Sequence, residues 1–317
     1  MSMAAIDTKR GDCAFRDALL EGLFKTPKSI PAKFFYDEAG SALFERITAL
    51  PEYYPTRTEL SILTKNLDEI ADLIGLDVEL VEFGAGSLRK VRLLLDSLKG
   101  LRAYLPIDIS GDYLMDVAAT LRDDYRGLRI RPVIADFTRA VSLGPLTPGA
   151  KRRAGFFPGS TIGNLLRTEA IAFLRQAQQT LNGGGLLIGV DLVKDPQILH
   201  AAYNDSEGVT EAFNKNLLVR ANRELDADFD LDRFAHYAAY NPFRQRIEMY
   251  LVSLVAQRVR VAGEVVSFAE GEPIYTEDSH KYTLDGFRAL AAEAGYVPRR
   301  VWTDPARLFS LQWLEAV

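Results

Sequence analysis

The chain has 317 residues, with 38 lysines and arginines against 43 aspartates and glutamates, so its formal net charge is −5. A hydrophobic share of 48% beside 26% charged residues is ordinary for a globular protein and excludes a disordered one. The acidic balance argues against nucleic acid or an anionic membrane as partner, and one cysteine, Cys13, with three scattered histidines offers neither an internal disulfide nor a zinc set.

Residues 1–15 mix Asp7, Lys9, Arg10 and Asp12 with small residues, without the continuous apolar stretch of a secretory signal. A cytoplasmic protein acting as a monomer is expected, and a single cysteine suits a reducing compartment. Roughly the first 75 residues read as helical, with a Tyr- and Pro-rich segment at Pro51-Glu52-Tyr53-Tyr54-Pro55. Val78 to Phe83 is a β-rich run that stops at Gly84-Ala85-Gly86, and Leu88, Val91, Leu94, Leu95 and Leu98 then recur at helical spacing. A second strand fits Ala103 to Ile109, a helix Asp112 to Arg122, and a third strand Ile130 to Ala135. A fourth strand fits Ala154 to Pro158, followed by a helix from about Thr168 to Leu181 and, after Asn182-Gly183-Gly184-Gly185, a fifth strand from Leu186 to Leu192. The longest apolar run, Gly185 to Val193, is broken by Asp191 and falls short of the roughly 18 residues of a membrane span.

This alternation predicts an α/β fold with a doubly wound, Rossmann-like sheet over 76–194 plus 286–317. The helical start and the segment 195–285, with its long β-rich run near Ile247 to Val261, predict a second, substrate-binding α+β domain over 1–75 plus 195–285.

Glycines in the turn after Phe83 let the backbone approach a ligand closely, and the helix that follows directs N–H groups toward it. Asp108 closes the second strand 22 residues after Gly86, where an acid accepts from a ribose diol. The dinucleotide fingerprint wants a third glycine where the chain has Arg89. S-adenosylmethionine, which has no phosphate, therefore fits better than a pyrophosphate ligand. Asp136-Phe137, after the third strand, stands where a methyltransferase sheet presents an acid to the adenine amino group. A tight turn without a ligand is the bland alternative for the glycine pair alone.

Other candidates are weaker. Asp226, Asp228 and Asp230 imitate a calcium loop, but Leu231 and Tyr237 occupy its glycine and glutamate positions, so solvated acids are expected. Lys151-Arg152-Arg153 reads as a solvated basic loop, and His200, His236 and His280 as structural. No nucleophile elbow or Cys/His pair is present. Three segments stand out: Phe34 to Phe44, where core packing accounts for some of the aromatics; the polar loop Phe157 to Asn164 at a carboxyl strand end; and Ile274 to Ser279, for which a surface loop is the alternative.

Those segments carry a family resemblance. Tyr36-Asp37 with Gly40-Ser41, Leu50-Pro51-Glu52-Tyr53-Tyr54-Pro55-Thr56-Arg57, Pro158 to Asn164, Arg246-Ile247-Glu248-Met249, and Thr276-Glu277 with Ser279 and Lys281 resemble the histidine-specific Nα-methyltransferases of ergothioneine biosynthesis. The resemblance runs from about residue 30 to the C-terminus. It implies a class I methyltransferase sheet, S-adenosylmethionine as methyl donor, and three transfers to the α-amine of L-histidine to give hercynine. It implies cofactor contacts at Tyr54, Gly84, Gly86, Lys90, Asp108, Asp136 and Phe137. It also implies that Asn164 and Tyr203 hold the substrate carboxylate and that Glu277 and Ser279 hold the imidazole, while Tyr36 and Phe44 line the pocket and Met249 packs beside the ring. Ala85, Leu88 and Val91 depart from the family's glycine loop. A second reading is a methyltransferase of the same fold acting on tryptophan or another amino acid, which an apolar residue at 277 would favour. A third is a cofactor-binding regulator without turnover.

Overall fold

The computed structural model describes residues 14–86 and 88–317; Cys13 and the segment before it lie outside the described residues. The chain divides into two compact units, one formed by Met1–Tyr53 with Asp195–Ser279 and the other by Tyr54–Lys194 with His280–Val317.

In the second of these, strands follow the order Tyr296–Thr303, Phe309–Ala316, Leu186–Asp191, Arg152–Phe157, Val78–Phe83, Ala103–Asp108, and then the short pieces Arg129–Ile130 and Val133–Ile134, both paired with Ala103–Asp108. Neighbours among the central strands run parallel, while Phe309–Ala316 is antiparallel to both strands beside it. Among the described strands of this sheet only that one is reversed. The apolar runs are continuous because both faces are covered. Val81, Phe83, Leu105, Ile188 and Val190 pack against the helices Arg167–Thr180 and Leu284–Glu293. Val78, Leu80, Tyr104, Phe156 and Leu187 enter a second cluster with Leu94, Val117, Leu121 and Trp313. Successive side chains of one strand thus feed opposite cores, the period of two that a strand imposes.

Two expectations change here. The third strand is not one run from Ile130 to Ala135: Pro132 has no N–H to give a ladder, and pairing stops at Ile130 and resumes at Val133. The unit also begins at Tyr54 rather than near residue 76. Helices Tyr54–Lys65 and Leu67–Ile74 bury Ile62, Leu63, Ile70 and Ile74 in the same cluster as Val78 and Leu80. At the other boundary the sheet unit resumes at His280, not 286, since Tyr282 donates its N–H to the Asp191 carbonyl at 2.9 Å.

The other unit has α+β content. Strands Lys28–Ser29, Pro273–His280, Arg246–Ser253 and Phe234–Asn241 form one sheet in that order, and Gln257–Val261 with Glu264–Phe268 form a separate hairpin. The β-rich run near Ile247 to Val261 is therefore two strands of different sheets. Helix Val209–Leu225 buries Phe213, Leu217, Leu218 and Ala221, and helix Glu38–Ala49 packs along it. Among the described residues no helix is long and apolar enough to cross a membrane.

Candidate active site

The strand Val78–Phe83 is buried throughout and ends at Gly84, whose φ of +72° is open to glycine and strained for other residues. A Cβ there would stand 3.4 Å from the Phe137 ring, in van der Waals contact with it. The Gly84 and Ala85 N–H groups both donate to the Ile107 carbonyl, at 2.9 and 3.2 Å, and the Gly86 N–H donates to the Gly84 carbonyl at 2.9 Å. These three donors are spent inside the turn, so they build no phosphate cradle. Ala85 and Val91 are buried and Leu88 packs against the core, so the three departures from the family loop serve packing.

Asp108 ends its strand half-buried. Burial raises its carboxyl above the ordinary range, against the Ser110 N–H that donates to it at 2.8 Å. Asp136 accepts from the Thr138 N–H at 3.0 Å and the Thr138 hydroxyl at 2.5 Å. The Phe137 ring lies 5.5 Å from Phe157 and 5.8 Å from Phe173, so it is anchored in the core while bordering the glycine turn.

Lys90 and Tyr54 are engaged by acids that sequence reasoning missed. The Lys90 ammonium lies 2.5 Å from Glu59, which is fully buried and also accepts from the Gly159 N–H at 3.0 Å. Tyr54 donates its hydroxyl proton to Asp191 at 2.7 Å, and Lys194 donates to the Tyr54 oxygen at 2.6 Å. Asp191 is paired with Lys194 at 2.6 Å and Lys281 at 2.8 Å. Burial alone would push the Asp191 carboxyl up, but the two ammonium groups hold it below its ordinary value. Burial pushes Lys194 down to about 8 despite Asp191. Within the glycine strand, Glu82 is buried and accepts from the Tyr104 hydroxyl; burial pushes it up to about 8.

The polar loop after the fourth strand is fixed to the same carboxyl edge. Ser160 adopts a left-handed φ of 59° and its hydroxyl accepts from the Asp191 N–H at 2.9 Å. Residues Thr161–Asn164 make a single 3-10 turn, and Nδ1 of His280 donates to the Gly163 carbonyl at 2.9 Å. Asn164 ends that turn.

In the other unit, Asp37 caps helix Glu38–Ala49, accepting from the Gly40 N–H at 2.7 Å, Asn216 at 2.7 Å and Arg223 at 2.6 Å. Gly40 is required by close approach, since a Cβ would meet the Phe35 carbonyl at 1.7 Å. This turn presents Tyr36 and Phe44, with ring centroids 5.6 Å apart, and both pack on Phe213, at 5.7 and 5.9 Å. Phe213 carried no sequence signal beyond helical burial. Tyr203 and Ser279, 76 residues apart in the chain, meet through a buried hydrogen bond of 2.7 Å from the tyrosine hydroxyl to Ser279 Oγ. Glu277 is half-buried two residues earlier on the same strand, and Met249 is buried opposite Ala238. Between Glu277 and Ser279, Asp278 accepts from Arg246 at 2.8 Å, and Arg246 also binds Glu248 at 2.6 Å, so Arg246 and Glu248 serve the sheet.

Asp228 accepts from the Arg260 N–H at 2.6 Å and Asp230 from the Asp232 N–H at 3.1 Å, which are turn roles. The basic run is not a solvated loop throughout. Lys151 is exposed, but Arg153 is buried in its strand and paired with buried Glu79 at 2.9 Å.

The donor set of the sheet unit fits S-adenosylmethionine. It combines a glycine turn, a carboxyl at the second strand end and an acid-aromatic pair at the third. Strand order and site together define a class I S-adenosylmethionine-dependent methyltransferase. Residues 15–316 match the family described as histidine-specific methyltransferase, SAM-dependent. The histidine N-alpha-methyltransferase of Mycolicibacterium smegmatis is 46% identical over 304 residues, covering 94% of each chain. That of Mycobacterium tuberculosis is 43% identical over 307 residues, covering 95% of this chain and 94% of its own. Ergothioneine biosynthesis protein 1 of Neurospora crassa is 30% identical over 297 residues, 87% of this chain and 32% of that longer protein. The chain belongs to the histidine-specific, S-adenosylmethionine-dependent methyltransferase family.

Proposed function

We propose that the protein transfers three methyl groups to the α-amine of L-histidine, giving hercynine for ergothioneine biosynthesis. The observation that carries this reading is the match to the histidine-specific family over residues 15–316. The Tyr203–Ser279 bond beside Glu277 supports it from the geometry.

Bound S-adenosylmethionine supplies an electrophilic methyl group, held by Gly84, Gly86, Asp108, Asp136 and Phe137. Lys90 and Tyr54 belong to the same set, their charge and hydroxyl placed by Glu59 and Asp191. The chain's task is to hold a neutral amine in line with that methyl, which needs positioning and no protein nucleophile. Asn164 and Tyr203 anchor the α-carboxylate. Glu277 accepts from one imidazole N–H, and Ser279 serves the other ring nitrogen. The Tyr203 hydroxyl connects the contacts to the two ends of the substrate, because its proton lies on Ser279; turned to the carboxylate, it leaves the Ser279 hydroxyl to donate to the unprotonated ring nitrogen. Tyr36, Phe44 and Phe213 offer aromatic faces to the growing cationic ammonium, and Met249 packs beside the ring. Catalysis in the cytoplasm by a monomer, without nucleic acid or membrane, completes the proposal.

Asn164→Ala tests the substrate half. Catalytic efficiency for histidine should fall while cofactor affinity holds. Loss of cofactor binding with histidine binding intact would place the loop on the donor side and overturn the assignment.

A further inference from the structure

A hydrogen-bond chain in the unit containing Tyr203 has its proton positions fixed at both ends by backbone carbonyls. The Asn214 side-chain nitrogen lies 2.9 Å from the Tyr250 carbonyl and 2.9 Å from His236 Nδ1. A carbonyl can only accept, so the atom facing Tyr250 is the amide NH2, and its second hydrogen falls on His236 Nδ1. Nδ1 is therefore the acceptor and the imidazole proton sits on Nε2, which lies 2.9 Å from the Tyr203 carbonyl. Tyr203 is the last residue of helix Pro196–Tyr203, and its hydroxyl continues the chain to Ser279 at 2.7 Å. The next residue, Asn204, donates to the Ala238 carbonyl at 3.1 Å, two positions along the strand from His236.

We propose that His236 is a positioning residue for the amino-acid substrate, its neutral Nε2–H tautomer fixing the helix end from which Tyr203 reaches Ser279. This rests on the reading of Tyr203 and Ser279 as substrate contacts. A helix end leaves carbonyls without intrahelical partners, and the Tyr203 carbonyl accepts from the His236 Nε2–H at 2.9 Å. Neutrality is part of the device. A proton added at Nδ1 would face the Asn214 NH2 group, and turning the amide would break the bond to Tyr250. Burial lowers the His236 pKa, which keeps the ring neutral near pH 7. The charged groups facing it are Glu211 and Asp205, which favour the protonated ring, and Lys215, which opposes it. Strand Phe234–Asn241, helices Pro196–Tyr203 and Val209–Leu225, and the Tyr250 carbonyl of strand Arg246–Ser253 surround the ring.

Steady-state kinetics on the full chain test this with three variants. Tyr203→Phe is the reference for the underlying reading and should raise the KM for histidine. His236→Phe, which cannot donate to the Tyr203 carbonyl, should raise the same KM about five- to tenfold, the scale of one hydrogen bond, with S-adenosylmethionine affinity unchanged. His236→Gln places an amide N–H near the Nε2 position and should recover most of the loss. Between pH 7 and 5 the KM of the wild type should rise more steeply than that of His236→Gln; titration of the substrate's own imidazole is common to both. If Tyr203→Phe is silent, the reading of Tyr203 fails. If Tyr203→Phe raises KM while His236→Phe does not, the role of His236 fails. Should His236→Phe not fold, parallel pH profiles of the wild type and His236→Gln overturn the proposal by themselves.

Discussion

Replacing Asp191 by Asn keeps the shape of the side chain and removes its charge. In the native arrangement the carboxylate faces Lys194 at 2.6 Å and Lys281 at 2.8 Å, with 2% of its own side chain exposed and 4% and 1% of theirs. The amide leaves two buried ammonium groups beside each other without a counter-ion. Breaking one side of a buried pair costs about 3–5 kcal/mol. Lys194 already sits at about 8 through burial, with Lys281 opposing its charge and Asp191 supporting it. Without Asp191 it falls further and sheds its proton near neutrality, which brings the cost toward the lower end, about 3 kcal/mol. At roughly 2–4 °C per kcal/mol, the melting temperature should drop about 6–12 °C at pH 7. The sign with pH follows from the lysines. A lysine whose folded pKa is depressed binds fewer protons folded than unfolded, so stability rises with pH up to its ordinary value. The gap between wild type and Asp191→Asn should therefore be widest near pH 6 and narrow toward pH 9. Thermal unfolding by circular dichroism at four pH values measures this. Equal melting temperatures, or a gap that widens with pH, would refute the reasoning.

Asp108→Ala should weaken S-adenosylmethionine binding by about 1.5–3 kcal/mol while the fold persists, because a charged acceptor at a strand end is lost; calorimetry checks it, and unchanged affinity removes Asp108 from the site. Glu277→Ala should lower kcat/KM for histidine by about 2–3 kcal/mol and narrow its advantage over tryptophan, since the acceptor that rejects an apolar side chain is gone. Parallel kinetics on both amino acids decide it, and an unchanged ratio in a folded variant excludes Glu277 as the imidazole reader. Glu82→Gln should flatten the pH dependence of stability. The folded carboxyl holds its proton up to about 8, so the wild type loses about 1.4 kcal/mol per pH unit as pH rises from the ordinary carboxyl range toward that value. Unfolding scans at pH 5 and 8 compare the two slopes, and parallel slopes would show that Glu82 is ionised when folded.

The strand-end positions of the glycine turn, Asp108 and Asp136-Phe137 were legible because a doubly wound sheet alternates apolar strands with helical spacing, and local sequence marks where each strand stops. Glu59 was not, because its partner Lys90 is 31 residues away and nothing in helix Tyr54–Lys65 sets one acid apart from a solvated one. Asp191 did carry a signal, which reads first as a break in an apolar run. An ionised acid inside a buried strand needs buried cations, and the same logic applies to Glu79 with Arg153. The contribution of Tyr54–Ile74 to the sheet core depends on which partner covers its apolar face. Hydrophobic spacing shows that a face must be buried, and leaves open against what. Phe213 stayed hidden for the same reason, as one apolar position among several on helix Val209–Leu225.

The central claim is methylation of one amino acid at one nitrogen. Histidine and tryptophan at equal concentration, incubated together with the protein and S-adenosylmethionine and followed by tandem mass spectrometry, test it most directly. Histidine should gain one, two and finally three methyl groups, all on the α-nitrogen, while tryptophan stays unmodified. Methyl groups on the imidazole ring, on tryptophan in preference to histidine, or on neither, would contradict the account.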